Sequence, residues 1–191
     1  MHRQMLLRLL EEYQPTNDDE QRIREVMIQF IHEHHDCFMR ELQVGHITAS
    51  AWVLNATLSK VLLIQHRKLN KWVQIGGHCD GDNDVLRVAL REVVEESGIF
   101  DIVPFSPEIF DIDIYTVPEC RTAEGLEPAH LHYDVRFIVI ADDTFPLSHN
   151  SEVRDIQWVA LEDVSKLTQE QSVLRMVAKT YHAKRHVHLR C

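Results

Sequence analysis

The chain has 191 residues, of which 45% are hydrophobic and 26% charged, the composition of an ordinary globular protein with one sizeable core. Its 20 lysines and arginines face 30 aspartates and glutamates, so the net charge is −10 with histidine neutral. This charge argues against a nucleic acid polymer as partner, because no basic surface would neutralise its phosphates. A small phosphorylated ligand stays compatible, since a metal ion can bridge an acidic protein and an anionic substrate.

Targeting and redox signals are few. No apolar run reaches the roughly 18 residues of a transmembrane helix, so we expect no membrane partner. The short apolar patch near the N-terminus is followed at once by acids and has no small-residue cleavage site, so it is not predicted to be a signal peptide. The four cysteines, which lack any CxxC pair, are Cys37, Cys79, Cys120 and Cys191. They are expected to be free thiols in a cytoplasmic protein.

Two helices are predicted at the N-terminus, over residues 1–13 and 17–35. The apolar side chains of the second recur at helical spacing, and Thr16-Asn17-Asp18-Asp19 is a helix start signal. The chain is therefore expected to consist of an N-terminal helical cap, residues 1–40, and a main domain, residues 41–191.

The main domain alternates strand and helix patterns. Strands are predicted over 46–55, 60–67, 109–116, 131–141 and 156–160, with a final helix from about residue 168. A largely apolar helix over 84–97 is expected to begin at Asn83 or Asp82 and to end before Gly98. Residues 117–129 are predicted to form a loop. Strands interleaved with helices indicate one α/β domain with a mixed sheet.

Three glutamates crowd one side of the 84–97 helix. Glu92, Glu95 and Glu96 fall within an arc of about 100°. Like charges three and four residues apart repel by roughly 0.2–0.5 kcal/mol per pair, and the helix dipole disfavours anions in the last turn. Clustered carboxylates are the ligands of hard divalent cations, so this pattern predicts a metal site.

The region from 77 to 99 resembles the signature of the Nudix hydrolase family. That signature reads Gly, five residues, Glu, seven residues, Arg-Glu-aliphatic-x-Glu-Glu-x-Gly-aliphatic. Gly77 matches the first glycine, and residues 91–99, REVVEESGI, match the final run. One position departs, because Asn83 replaces the isolated glutamate. The nearby acids Asp80, Asp82 and Asp84 are candidate substitutes, although none is in register.

The resemblance implies an α/β/α sandwich and a metal-dependent pyrophosphohydrolase. Its expected substrate is a nucleoside diphosphate linked to another moiety, of the ADP-ribose, nucleotide sugar or dinucleoside polyphosphate type. It also implies that Gly77, Glu92, Glu95 and Glu96 hold Mg²⁺, with Mn²⁺ as a substitute, and that the glutamates are catalytic. Arg91 is expected beside the substrate, mainly to orient the glutamates.

Further residues are candidates for the same site. Glu152 lies in a loop from which Nudix enzymes often draw a carboxylate, as metal ligand or general base, and an ordinary surface glutamate is as good a reading. Competing acids are Glu119, Glu124 and Glu127. The candidate substrate-binding residues are Arg67, Lys71, Gly76, Gly77 and His78, and further candidate phosphate clamps are Lys68, Arg121 and Arg136. Surface charge is the default reading of each basic residue taken singly.

Histidines and aromatic residues carry weaker signals. His130 and His132 share one face of a strand, as do His186 and His188 if the tail is extended. With His182 or Cys191 they would form a transition-metal site, but surface or structural roles are favoured. Tyr115 stands where the resemblance places a marker of dinucleoside polyphosphate hydrolases, but packing is the favoured role of a strand tyrosine. Trp52, Trp72 and Phe137 are candidates for stacking on a base, with core packing favoured.

Two other functions stay open. Asn83 allows a non-hydrolytic nucleotide-binding or regulatory Nudix domain. An isoprenoid diphosphate isomerase-like enzyme on the same scaffold would need a proton donor and acceptor, for which Cys79 is a candidate. A homodimer is compatible with the family and with the N-terminal helices.

Overall fold

A computed structural model describes residues 2–122 and 125–188. Its helices are α1 (Gln4–Glu12), α2 (Asp18–Glu33), α3 (Val85–Ser97), α4 (Val164–Leu167) and α5 (Gln171–His188), with a 3-10 turn at Leu161–Asp163. Its strands are β1 (Gly45–Asn55), β2 (Lys60–His66), β3 (Lys71–Val73), β4 (Ile75–His78), β5 (Ile102–Pro104), β6 (Asp111–Val117), β7 (Cys120–Thr122), β8 (Gly125–Glu127), β9 (His130–Ala141) and β10 (Val153–Ala160). The predicted α/β class with a mixed sheet and N-terminal helices is confirmed.

The chain forms two compact units. The first comprises residues 1–50, 76–89 and 106–137, and the second comprises residues 51–75, 90–105 and 138–191. The predicted boundary between a cap at 1–40 and a domain at 41–191 stays a prediction. Within residues 2–122 and 125–188, every helix is too short or too polar to span a bilayer.

The N-terminal helices of the first unit are joined by a hydrogen-bonded turn. Asn17 caps α2 by accepting the backbone N–H of Glu20 at 2.9 Å, so the predicted start signal is confirmed. The buried Glu20 carboxylate accepts the Tyr13 hydroxyl at 2.8 Å and the Thr16 backbone N–H at 3.0 Å. These bonds satisfy the charge of Glu20 inside the turn.

Strand pairing in the first unit aligns polar residues on β6 and β9. These two strands are antiparallel, with Asp111 opposite Arg136, Asp113 opposite Asp134 and Tyr115 opposite His132. Strand β1 pairs with β9 and with β4. The prediction of a loop over 117–129 is wrong in part, because β7 and β8 form a short antiparallel hairpin there. Its three-residue strands show no apolar alternation, which is why periodicity missed them.

The second unit is built on β2, which pairs antiparallel with β10 along its whole length. Strand β2 also pairs with β1, where Leu54 lies opposite Val61, and with β3. Strand β5 pairs with β9 from Ile102–Ala141 to Pro104–Val139. The core of this unit includes Trp52, whose indole N–H donates to Thr180 on α5 at 2.9 Å.

The ends of two helices differ from prediction. Helix α3 is capped by Asp84, which accepts the Arg87 backbone N–H at 3.1 Å, and not by Asn83 or Asp82. Asp82 instead accepts the Asp84 backbone N–H at 3.0 Å, and this Asx turn shifts the cap by one residue. Helix α5 continues through His188, so His186 and His188 do not lie on an extended tail. Cys191 and Glu124 lie outside the described residues.

Candidate metal and substrate site

The three signature glutamates differ in exposure. Glu92 is 9% exposed and Glu96 is 2% exposed, whereas more than half of the Glu95 side chain is open to solvent. Arg91 lies between two of them, with Nη2 at 2.9 Å from Glu92 Oε1 and Nε at 3.7 Å from Glu95 Oε1. Arg91 thus orients Glu92 within the helix.

The charge on Glu92 is opposed by its surroundings. Burial raises the pKa of the Glu92 carboxyl; the hydrogen bond and charge of Arg91 lower it, and the charges of Glu95 and Glu152 raise it further. A cation beside Glu92 would offset both the desolvation penalty of the buried carboxylate and its repulsion by Glu95 and Glu152. Carboxylate oxygens in this setting fit a hard divalent cation, so the residues present suit the metal that the pattern predicts.

Arg67 holds the loop that carries Glu152. Its backbone N–H donates to the Glu152 carbonyl at 2.9 Å, and its guanidinium donates to the carbonyls of Ser151 at 2.8 Å and Val153 at 3.3 Å. The side chain predicted to contact phosphate therefore positions Glu152. The charge of Glu152 contributes to the raised pKa of Glu92 and opposes the lowered pKa of His66.

The same loop is attached to the end of α3. The Ser148 backbone N–H donates to the Ser97 carbonyl at 3.0 Å. Gly98 ends the helix at φ +72°, as predicted, and a Cβ there would lie 2.1 Å from Ser148 Oγ. The positive φ and the close approach of Ser148 both favour glycine at position 98.

Lys71 is already paired. Its Nζ lies 3.0 Å from the carboxylate of Glu170, and both side chains are partly exposed. Lys71, which was predicted to contact a substrate phosphate, thus forms an ion pair with Glu170 in this structure. Trp72, next along β3, is half-buried, and Lys68 is exposed.

The glycine pair and His78 belong to β4 in the first unit. A Cβ on Gly76 would lie 2.2 Å from Ser50 Oγ and 2.8 Å from Ser50 Cα. Gly76 is therefore required by the packing of β4 against β1, whatever else it does. Gly77 and His78 are half-buried, and the His78 ring lies 5.0 Å from that of His46.

The aspartates near Asn83 have other partners. Asp80 forms a two-bond ion pair with Arg40 at 2.5 Å, and Asp82 forms one with Arg87 at 2.6 and 3.0 Å. Asp84 caps α3. These contacts give each aspartate a structural role and leave the substitution at Asn83 without a compensating carboxylate among the three.

Arg136 is not a phosphate clamp, which corrects one prediction. It is 1% exposed and donates to Asp134 at 2.7 Å, Asp111 at 3.0 Å and Asp113 at 3.0 Å. Burial alone would lower the pKa of its guanidinium, but the three carboxylates raise it overall. The hydroxyls of Thr48 and Ser50 donate to Asp134, which completes a buried network we call the Arg136 cluster.

The aromatic and cysteine candidates are mostly internal. Trp52 and Phe137 are fully buried, so both pack in the core and neither stacks on a base. Cys79 is 1% exposed, which counts against the proton transfer that an isomerase would require of it. Glu119 and Arg121 are exposed, and Glu127 is half-buried.

Sequence reasoning missed one grouping of histidines. His46, His130 and His132 bring one ring nitrogen each to within 4.8 Å of one another. The pair on β9 was visible as alternation along a strand, but His46 lies more than 80 positions away on β1. No local pattern joins residues that meet only through strand pairing.

Comparison with known proteins identifies the fold. The sequence model for the NUDIX domain matches residues 45–180. A search of curated protein sequences finds no match.

Three solved structures illustrate the likeness. An Ap4A hydrolase from C. elegans, in a binary complex, is 17% identical with a TM-score of 0.52, covering 71% of this chain and 95% of its own. The MutT protein from Methanosarcina mazei Go1 is 21% identical with a TM-score of 0.53, covering 74% and 96%. The dihydroneopterin triphosphate pyrophosphohydrolase from E. coli is 13% identical with a TM-score of 0.53, covering 69% and 91%. At these identities the likeness is one of fold.

Proposed function

The chain belongs to the NUDIX domain family, which confirms the resemblance seen in its sequence, and we propose that it hydrolyses a nucleoside diphosphate linked to another moiety. Membership in this family also confirms the expectation of a Nudix hydrolase. Nudix hydrolases generally use a divalent metal. The identity of that metal, the substrate and the residue roles are our proposals.

One observation carries the proposal. Two buried carboxylates, Glu92 and Glu96, lie four residues apart on α3, and the pKa of Glu92 is raised by its burial. Burial of the Glu92 carboxylate opposes its ionisation, and a bound cation would offset this penalty. A helix with only a structural role would not need this arrangement.

We assign the roles as follows. Glu92 and Glu96 are the main ligands of Mg²⁺, for which Mn²⁺ can substitute, and Glu95 contributes from the exposed side. Gly77 is added as a ligand through its backbone on the strength of the family signature alone. When bound, the ion neutralises the diphosphate charge and makes water more acidic. Arg91 orients the glutamates by its ion pairs with Glu92 and Glu95.

Glu152 is the proposed general base. Arg67 holds its loop through three backbone carbonyls, and the charge of Glu152 acts on the pKa of Glu92. Glu152 would accept a proton from a water molecule whose oxygen forms a bond to phosphorus. The phosphorus–oxygen bond of the anhydride then breaks, giving two phosphorylated products.

The substrate class is drawn from the same family types. ADP-ribose, nucleotide sugars and dinucleoside polyphosphates all present a diphosphate with a second moiety. The partner is thus a small phosphorylated molecule rather than a nucleic acid polymer or membrane, and a homodimer stays compatible. The free thiols of Cys37, Cys79 and Cys120 suit the reducing cytoplasm that we expect.

A product-release screen tests the proposal. Purified protein is incubated with ADP-ribose, nucleotide sugars, dinucleoside polyphosphates, NADH, coenzyme A and nucleoside triphosphates, with Mg²⁺ or Mn²⁺. The same panel is run with Glu96→Gln and with Glu108→Gln, an exposed control. We expect metal-dependent cleavage of one class that Glu108→Gln retains and Glu96→Gln loses. Equal turnover by Glu96→Gln would contradict the assigned roles.

A non-hydrolytic, nucleotide-binding or regulatory domain is the second candidate. It is favoured by Asn83, because Asp80, Asp82 and Asp84 all have other partners. This candidate predicts tight nucleotide binding without turnover under saturating Mg²⁺ and Mn²⁺. Restoring the signature with Asn83→Glu would then produce activity that the wild type lacks.

A further inference from the structure

Four histidines of the first unit gather where β1, β4 and β9 lie side by side. The ring centroid of His46 lies 5.0 Å from His78, 5.0 Å from His130 and 4.7 Å from His132. His78 lies 5.1 Å from His132. We call these four residues the histidine cluster. It shares no residue with the glutamates of α3 or with Glu152.

His46 is the anomaly within the cluster. Its side chain is 1% exposed, and neither Nδ1 nor Nε2 has a partner at hydrogen-bond geometry. Burial and the charge of His130 lower its pKa to about 4, while the Leu42 backbone acts in the opposite direction. A buried polar group without a partner costs roughly 1–3 kcal/mol. An imidazole in this state needs a ligand that the protein itself does not supply.

His130 and His132 form a pair with defined partners. His130 Nδ1 lies 2.8 Å from the Pro128 carbonyl, which can only accept, so Nδ1 carries the hydrogen and Nε2 of the neutral ring has a lone pair. That Nε2 lies 3.2 Å from His132 Nε2. His132 Nδ1 lies 3.2 Å from the Tyr115 hydroxyl.

A metal-free arrangement explains this pair but not His46. The Tyr115 hydroxyl would donate to His132 Nδ1, and His132 Nε2–H would donate to His130 Nε2. That relay satisfies both rings of β9. It leaves both nitrogens of the buried His46 unsatisfied, so it accounts for only part of the cluster.

We propose that His46, His130 and His132 bind a divalent transition-metal ion, with Zn²⁺ as the best match, and that His78 adjoins this site. Neutral imidazoles are common ligands of Zn²⁺ in a tetrahedral arrangement. Bonds of about 2.0–2.1 Å in a tetrahedron separate the ligand atoms by roughly 3.3–3.4 Å. The 3.2 Å between the Nε2 atoms of His130 and His132 is close to this value.

The surroundings of the cluster suit a metal ion. Burial lowers the pKa of His132 well below its usual range, with His78, His46 and His130 acting in the same direction. Neutral imidazole is the form that binds metal. The His130–Pro128 and His132–Tyr115 contacts are of the kind that orients metal-ligating histidines.

The charged groups around the cluster are mixed. Arg40 disfavours positive charge at His46 and His78, while Glu127 favours it at both, and Asp80 favours it at His78. Arg40 is itself paired with Asp80. The carboxylate of Glu127 is therefore the nearby group that offsets part of the charge of the ion.

Calorimetric titration with Zn²⁺ tests the proposal. The full chain is stripped with a chelator and titrated in excess Mg²⁺, which keeps the α3 glutamates occupied. The same titration is run in a Glu92→Gln/Glu96→Gln background. We expect about one Zn²⁺ per chain in both proteins. His46→Gln should weaken binding by at least about tenfold, as even the loss of an outer-shell partner can. His32→Gln, an exposed histidine on α2, should leave binding unchanged.

Spectroscopy covers the case in which His46→Gln fails to fold. Co²⁺ replaces Zn²⁺ in the wild type, and strong visible d–d absorption is expected from a tetrahedral site. His130→Gln, checked for folding by circular dichroism, should abolish that absorption.

Three outcomes would overturn the proposal. One is absence of Zn²⁺ binding by the wild type. The second is equal Zn²⁺ affinity in His46→Gln and His32→Gln. The third is a Co²⁺ spectrum of octahedral type.

Discussion

Buried carboxylates occur in both units, around Arg136 in the first and on α3 in the second. Around Arg136, three aspartates meet a guanidinium at 2.7 to 3.0 Å, and two hydroxyls complete the hydrogen bonds of Asp134. On α3, Arg91 serves both Glu92 and Glu95, and its contact with Glu95 is 3.7 Å long. The aspartates have their cation within the protein, whereas we propose that the glutamates bind one from solution. The raised pKa of Glu92 shows that Arg91 does not fully offset the burial of that carboxyl.

The largest expected effect comes from breaking the Arg136 cluster. Arg136→Met keeps much of the side-chain volume but leaves three aspartates without their cation, so the free energy of unfolding should fall by roughly 3–5 kcal/mol. Urea denaturation measures this free energy of unfolding. Lys60→Met, which removes the exposed ion pair with Asp143, should cost no more than about 1 kcal/mol. Similar losses in the two variants would contradict a special role for the buried network.

The next effect concerns Glu152. Glu152→Gln should lower kcat by about 100-fold or more, because a general base typically contributes 10²–10⁴-fold. Steady-state kinetics at saturating Mg²⁺ would measure the loss of kcat. If Glu152 is an ordinary surface residue, its variant will match Glu108→Gln.

Gly98 tests whether the loop carrying Glu152 depends on the end of α3. Gly98→Ala should lower the free energy of unfolding by roughly 1–3 kcal/mol, because φ is +72° and the new Cβ meets Ser148. In the double variant with Ser148→Ala, the share of this stability loss that comes from the clash should be recovered. The share that comes from the strained backbone should remain. No recovery in the double variant would mean that backbone strain alone explains the loss.

The smallest expected effect is on the metal-free stability of Glu92→Gln, in contrast to the large loss expected for Arg136→Met. Because the pKa of Glu92 is raised on folding, its ionisation opposes folding. This penalty is absent below the ordinary carboxyl pKa and grows as the pH rises through the raised value. Metal-free Glu92→Gln should therefore be as stable as the wild type at pH 7, or slightly more stable.

Added Mg²⁺ should reverse that order. The cation binds only the folded wild type with full affinity and raises its Tm by mass action, while Glu92→Gln responds less. Thermal melts with and without Mg²⁺, with Glu95→Gln for comparison, measure the difference. A clear loss of stability in metal-free Glu92→Gln would show that its charge stabilises the fold.

The sequence predicted those parts of the molecule that depend on neighbours along the chain. The α2 cap at Asn17, the glycine after α3 and the spacing of the glutamates are all local patterns, and each agrees with the structure. The cap of α3 differs from the prediction because Asp82 accepts the backbone N–H of Asp84, while Asp84 accepts that of Arg87 in the first turn of the helix.

The parts that depend on strand pairing were not predictable in the same way. Arg136 looked like a phosphate clamp because its partners, Asp111 and Asp113, become neighbours only through the register of β6 and β9. His46 joins His130 and His132 for the same reason. Alternation of acids along β6 was a visible hint, but without the register it could not identify the partner.

The most direct test of the account is whether the α3 glutamates bind a cation. Mn²⁺ binding is followed by electron paramagnetic resonance of the free ion, which requires no knowledge of the substrate. We predict that Glu96→Gln weakens Mn²⁺ binding by at least about tenfold while circular dichroism stays unchanged. Glu108→Gln should bind Mn²⁺ as the wild type does. Wild-type Mn²⁺ affinity in Glu96→Gln would contradict the claim that these buried carboxylates exist to hold a metal ion.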